Sequence, residues 1–106
     1  MDPRRRPISL ERLRSIPRSF SWIDRDILHH GWLSALSKEE LLLYFFLTVV
    51  AGPEGTSFWS HATIAKLLKL SLEEILTALQ GLIGKDLVAF SYPTYQVLSL
   101  PERRRR

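Results

Sequence analysis

Three serines constrain this chain most, because each one stands where a helix should begin. Ser37-Lys38-Glu39-Glu40 and Ser71-Leu72-Glu73-Glu74 both have the capping-box pattern. In such a box the hydroxyl accepts an orphan amide three residues on, while the glutamate reaches back to the serine's own N–H. Ser60 supplies a third start ahead of His61. After Ser37 only Thr48 is polar between Leu41 and Val50. A helix that is apolar all round must be covered all round. The segment from Phe20 to Leu36, rich in Trp, Ile and Leu, is its natural cover, and a dimer partner is the alternative.

Gly52-Pro53-Glu54-Gly55 stops that helix and turns the chain into a short extended piece, Thr56 to Trp59. The helix from His61 to Leu68 sets Ile64, Leu67 and Leu68 on one face. Only Lys69 and Leu70 separate it from the cap at Ser71. The helix from Leu72 to about Gly84 carries Leu72, Ile75, Leu76, Leu79, Leu82 and Ile83 at core spacing, with Glu73, Glu74, Thr77, Gln80 and Gly81 outward. Lys85-Asp86 then leads into two β-prone runs, Leu87 to Phe90 and Tyr95 to Leu98, joined by the compact turn signal Ser91-Tyr92-Pro93-Thr94.

Ahead of this core, residues 1–18 read as a flexible basic arm. Pro3, Pro7 and Pro17 interrupt any long helix there, and only a marginal one from Ser9 to Ile16 is expected. Residues 19–100 form the folded domain, and 101–106 are a basic tail. Asp24 is placed to cap a short helix through Leu28, which Gly31 ends or bends.

Charge is distributed unevenly. The net value of +4 divides into +3 over residues 1–36, −2 over 37–100 and +3 over 101–106, so a mildly acidic centre lies between basic ends. Such ends favour an anionic partner. The absence of cysteine excludes disulfide and thiolate chemistry and argues against a metal site. His29, His30 and His61 lack metal-ligand spacing and read as surface or cap residues, and no cofactor is expected. No glycine-rich phosphate loop, nucleophile motif or HExxH occurs, so enzymatic activity is not expected. The apolar run from Leu41 to Ala51 falls well short of the roughly 20 residues of a membrane span. No secretory pattern follows the N-terminal arginines, which points to the cytoplasm.

Two helices joined by a short turn, then a hairpin, have helix-turn-helix spacing with a wing behind it. The stretch SHATIAKLLKLSLEEILTALQGLIGKDLVAF resembles winged-helix DNA-binding domains, and Leu79 to Val88, LQGLIGKDLV, is similar to their exit into the wing, with Asp86 where that family usually has Gly. The leading FSWIDRDIL and LSKEELLLYFFL are loosely similar to the winged-helix domains of plasmid and phage replication initiators. The resemblance implies a mainly α (α+β) winged helix-turn-helix: a three-helix core, a C-terminal β-hairpin wing and an N-terminal extension. It further implies binding of double-stranded DNA in replication initiation or transcription regulation.

On that reading the helix starts at Ser60, His61 and Ser71 can donate amides to phosphate, and Lys66 and Lys69 can grip the backbone. Thr77 and Gln80 can reach base edges. Arg4, Arg5, Arg6, Arg103, Arg104, Arg105 and Arg106 can follow phosphates or enter a minor groove. Glu73 and Glu74 repel phosphate, and the wing turn carries neither Lys nor Arg. Those features favour the alternative, a winged-helix module for protein interaction or dimerisation without sequence-specific DNA binding. Thr77 and Gln80 can equally be plain solvent-facing residues. Trp22, Trp32 and Trp59, surrounded by apolar neighbours, read as core rather than as base-stacking platforms.

Overall fold

The computed structural model describes residues 2–29 and 31–101, so the readings of His30 and of Arg103 to Arg106 lie outside the described residues. After single 3₁₀ turns at Pro3–Arg5 and Leu10–Arg12 come two one-turn helices, α1 (Asp26–His29) and α2 (Trp32–Ala35). The main elements follow: α3 (Lys38–Val50), β1 (Thr56–Ser57), α4 (His61–Leu68), α5 (Leu72–Gly84), β2 (Val88–Ser91) and β3 (Thr94–Val97). This is an α+β winged helix-turn-helix with an N-terminal extension.

Local chemistry sets every major helix start. Ser37 and Ser71 accept from the amides of Glu40 and Glu74 at 3.1 and 3.0 Å, and each glutamate accepts back from its serine's N–H at 2.9 Å. Ser60 accepts from the Thr63 amide at 3.1 Å. The Asp24 carboxylate accepts from the Asp26 amide at 2.9 Å and opens α1, and Gly31, at φ 83°, separates α1 from α2.

Both α4 and α5 end through a left-handed residue. Lys69 (φ 61°) lets the Leu70 amide donate to the Ala65 carbonyl at 3.0 Å, and Asp86 (φ 64°) lets the Leu87 amide donate to the Leu82 carbonyl at 3.0 Å. These are Schellman closures, for which glycine is the usual choice. Asp86 thus takes a left-handed conformation without glycine, which a short polar side chain tolerates better than most.

The strands form one antiparallel sheet in the order β1-β3-β2. Thr56 pairs with Gln96 and Ser57 with Tyr95, while Phe90 also pairs with Tyr95 across the hairpin. Gly55 makes this closure feasible: its φ is 85°, and a Cβ there would sit 2.6 Å from the Val97 carbonyl oxygen. The core lies between the sheet and the helices. Leu43 and Leu47 of α3, Ile64 of α4, Ile75 and Leu82 of α5, and Leu87, Val88 and Tyr95 are all essentially inaccessible.

A partly buried ion pair locks α3 to α5. The Lys85 ammonium donates to both Glu40 carboxylate oxygens at 3.1 Å, while Glu40 also closes its own capping box. Gly81 makes room for that carboxylate, since a Cβ would lie 1.8 Å from Glu40 Oε2. Gly81 thus faces α3 and is not on the outer side of α5.

Other expectations need correction. Only Leu10–Arg12 is helical within the stretch from Ser9 to Ile16, as a 3₁₀ turn, because nothing packs on it. Leu67 is half-exposed, and Ala65 takes the inward place beside Ile64. Leu72, Leu76 and Ile83 stay half-exposed, while Ala78 joins Ile75, Leu79 and Leu82 in the core. Among the described residues of the Phe20 to Leu36 segment, only Ile27, Trp32 and Leu36 are buried. Trp22 is exposed, and Trp59 lies at the core's edge against Phe46. Cover for α3 is therefore one-sided.

Two stability measurements check this account. Gly81→Ala should destabilise by about 1–2 kcal/mol in urea titration, although Gly→Ala within a helix normally stabilises by about 1 kcal/mol; on a Glu40→Ala background the same change should become a gain. Asp86→Gly should stabilise by about 0.5–1 kcal/mol by relieving the left-handed backbone, seen as a Tm several degrees higher.

Candidate nucleic-acid interface

The helix pair α4–α5, its left-handed turn at Lys69 and the following hairpin present most of the residues singled out from the sequence. Lys66 lies in the last turn of α4 and Lys69 at its cap, both exposed and neither in an ion pair among the described residues. Thr77 and Gln80 are exposed on the side of α5 away from the core. Half-exposed Leu72, Leu76 and Ile83 run alongside them, an apolar strip that spacing alone had assigned to the interior.

Ser60 and Ser71 already use their hydroxyls as caps, and Ser60 Oγ also donates to Thr63 Oγ1 at 2.8 Å. At the start of α5, moreover, the Glu74 carboxylate accepts from the Ser71 N–H, so the end that would attract an anion already carries a negative charge. A groove of about 320 Å³ between the starts of α3 and α5 is lined by Glu39, Glu40, Glu73 and Glu74 together with Thr77, so this candidate base contact stands beside carboxylates while Gln80 does not line the groove. This flank of α5 is acidic, and the cationic flank is on the α4 side.

His61 has a different position from the other candidates. It is half-buried, its Nδ1 is hydrogen-bonded to the Tyr95 hydroxyl, and its ring packs 5.3 Å from Phe90 and 5.7 Å from Tyr95. It ties the start of α4 to both wing strands rather than standing free. Burial pushes the Tyr95 hydroxyl up to about 12.

The wing turn centres on Tyr92 and Pro93, joined by a cis peptide, and Tyr92 is 87% exposed. An aromatic residue at that tip is a candidate contact in a turn that carries neither Lys nor Arg. Its signal in the sequence was a large ring inside a turn motif, where no packing demands one.

In the N-terminal arm every residue from Arg4 to Asp26 is exposed. Arg4 donates to Asp2 through Nε at 3.1 Å and Nη2 at 2.8 Å, holding the Asp2 carboxyl below its ordinary range while Arg4 itself is raised. Arg5 and Arg6 have no ion-pair partner among the described residues. The arm meets the domain where Ser21 Oγ donates to the Thr48 carbonyl. There a cleft of about 770 Å³ lies between Phe20, Trp22, Tyr44 and the chain from Gln96 to Leu100. Burial raises the Tyr44 hydroxyl above its ordinary value, and the Asp24 carboxylate adds to the shift.

Among the described residues no group of three or more His, Cys, Asp or Glu could hold a metal ion, and no helix is long and apolar enough to cross a membrane. The fold and the exposed helix pair together define a protein of winged-helix architecture. No family model matches the chain, and neither a curated protein nor a solved structure matches it.

Tyr95 predicts an alkaline limit. Its folded-state value lies above the ordinary 10.0, so the unfolded chain loses the proton first. The stability it confers is complete below pH 10 and drains as pH climbs towards about 12. Urea midpoints taken across that interval should fall by an amount worth on the order of 2 kcal/mol, and Tyr95→Phe should flatten that part of the slope.

Proposed function

We propose that this chain binds double-stranded DNA as a winged-helix factor in replication initiation or transcription regulation. The observation carrying the reading is the α4–turn–α5 unit, whose outer helix offers Thr77 and Gln80 to solvent with a hairpin directly behind it. In this arrangement α5 approaches the major groove, where Gln80 is suited to adenine and Thr77 to either a polar edge or a thymine methyl. Lys66 and Lys69 hold the phosphates beside the turn, and Arg4, Arg5 and Arg6 follow the backbone or enter the adjoining minor groove. Arg103 to Arg106 extend the same electrostatic grip from the other end of the sequence. Tyr92 brings an aromatic face to the wing tip. The replication or regulatory role rests on the resemblance of FSWIDRDIL and LSKEELLLYFFL alone. No catalytic step and no cofactor belong to this reading, and its setting is the cytoplasm.

A second reading is favoured by one specific feature. Leu72, Leu76 and Ile83 form an exposed apolar strip along α5, with Glu73 and Glu74 on its α3 flank, a composition suited to a protein partner. On that reading the module docks a protein with basic and apolar groups and does not recognise sequence in DNA.

Fluorescence anisotropy with duplex DNA at two salt concentrations separates the two. DNA binding predicts steep weakening with salt, and replacing Lys66 and Lys69 together by Ala should cost about tenfold in affinity and reduce the salt slope by about two. Glu73→Gln with Glu74→Gln should leave DNA affinity unchanged or improved, whereas a basic protein partner would be lost. Absence of binding even at low salt would overturn the DNA reading.

A further inference from the structure

The core-facing side of α3 carries Glu40, Leu43, Tyr44, Leu47 and Thr48. At 100° per residue, Lys38, Leu42, Phe45 and Val49 fall within roughly 60° of one another on the opposite side. Leu42 is 42% exposed, Phe45 57% and Val49 52%. Phe46 continues the patch sideways by packing edge-on against Trp59, with ring centroids 5.3 Å apart, and Trp59 is itself 40% exposed. The Phe20 to Leu36 segment leaves Leu42, Phe45 and Val49 exposed; Ser21 meets α3 at Thr48, beside Tyr44, and Ile27, Trp32 and Leu36 join the core on the opposite side.

We propose that this face joins two copies of the chain, with their α3 helices packed antiparallel about a two-fold axis near Phe45. The stripe is self-complementary in that orientation. When Leu42 of one copy lies opposite Val49 of the other, the two Phe45 rings meet near the axis. Lys38 then falls just beyond the last turn of α3 in the other copy, near its terminal carbonyls. That helix has no basic residue in its own last turn, so the ammonium from the second copy meets an uncompensated dipole end. A parallel pair would instead set Lys38 against Lys38. Charge therefore selects the antiparallel form.

The area is sufficient for a modest dimer. With a full aromatic side chain worth about 150–250 Å², the exposed fractions amount to roughly 400 Å² of apolar surface per copy. If apolar atoms make up about 65% of such a contact, each copy contributes about 600 Å². The pair then buries about 1,200 Å², at the lower edge of specific interfaces, which suits a Kd in the micromolar range. The core binds α5 on the other side of α3, so pairing leaves Thr77 and Gln80 uncovered. The inference does not depend on DNA binding.

Sedimentation velocity of the full chain from about 1 to 200 µM should show a monomer–dimer equilibrium. Phe45→Asp should weaken it by at least about 30-fold with unchanged circular dichroism and thermal unfolding. Should that variant fold poorly, Val49→Lys carries the same test. Because the chain has no cysteine, orientation can be read directly. Phe45→Cys should form a disulfide-linked dimer on mild oxidation, whereas Lys38→Cys should not, since the two sites would be about 22 Å apart along the helices. A monomer at every concentration would overturn the proposal and leave the face to a different protein. A dimer indifferent to Phe45→Asp and Val49→Lys would overturn it too, and efficient cross-linking through Lys38→Cys would overturn the antiparallel arrangement.

Discussion

Glu40 performs three jobs with one carboxylate, and the placement of α3 against α5 depends on all of them. It closes the cap at Ser37, it takes both hydrogen bonds from Lys85 at 3.1 Å, and it occupies the space left by Gly81. A carboxylate with only 11% side-chain exposure would be costly without such partners. Because Ser37 stands at the start of α3 and Lys85 at the end of α5, the contact fixes relative position as well as separation. The two helices then enclose Leu43, Leu47, Ile75 and Leu82, and the hydrophobic core follows.

With α5 fixed in this way, the remaining functional geometry is passed on by short rigid joints. The left-handed turn at Lys69 sets α4 against α5, and the second one at Asp86 directs the chain into β2. Tyr95 completes the arrangement. It lies at the centre of the sheet between Ser57 and Phe90, and its hydroxyl reaches back to His61 at the start of α4. The wing is consequently tied to the helix-turn-helix by both backbone pairing and a side-chain bond. A hairpin of two four-residue strands would be marginal without such support.

The exposed surface divides into regions of distinct chemistry. Lysines mark the α4 side of the turn, glutamates with Thr77 the α3 side of α5, and Gln80 with an apolar strip the outer side of α5. The arm adds arginines, although Asp2 already compensates Arg4. The outward side of α3 is the most apolar of these regions. One small domain with a single core thus presents chemically distinct surfaces, cationic, acidic and apolar, on separate sides.

The order of the elements was legible because its causes are local. A serine and a glutamate three residues apart meet in the same turn whatever surrounds them, so Ser37 and Ser71 announced their helices, and Ser91 to Thr94 announced the hairpin turn. The exposure of Lys66, Lys69, Thr77 and Gln80 followed from helical period once α5 had a core side. Which apolar residues became core depended on what lay above them, and that is a tertiary matter. Spacing could not tell that Ala65 rather than Leu67 turns inward, that Trp22 stays in solvent, or that Gly81 faces a carboxylate from a helix 41 positions earlier. Nor could it place β1 beside β3 or join His61 to Tyr95. The sequence alone determined where helices start, where the chain turns and where charge collects, since neighbours within four residues settle those questions. Only the folded chain decided burial, pairing and the uncovered side of α3, because each depends on groups brought together from distant parts of it.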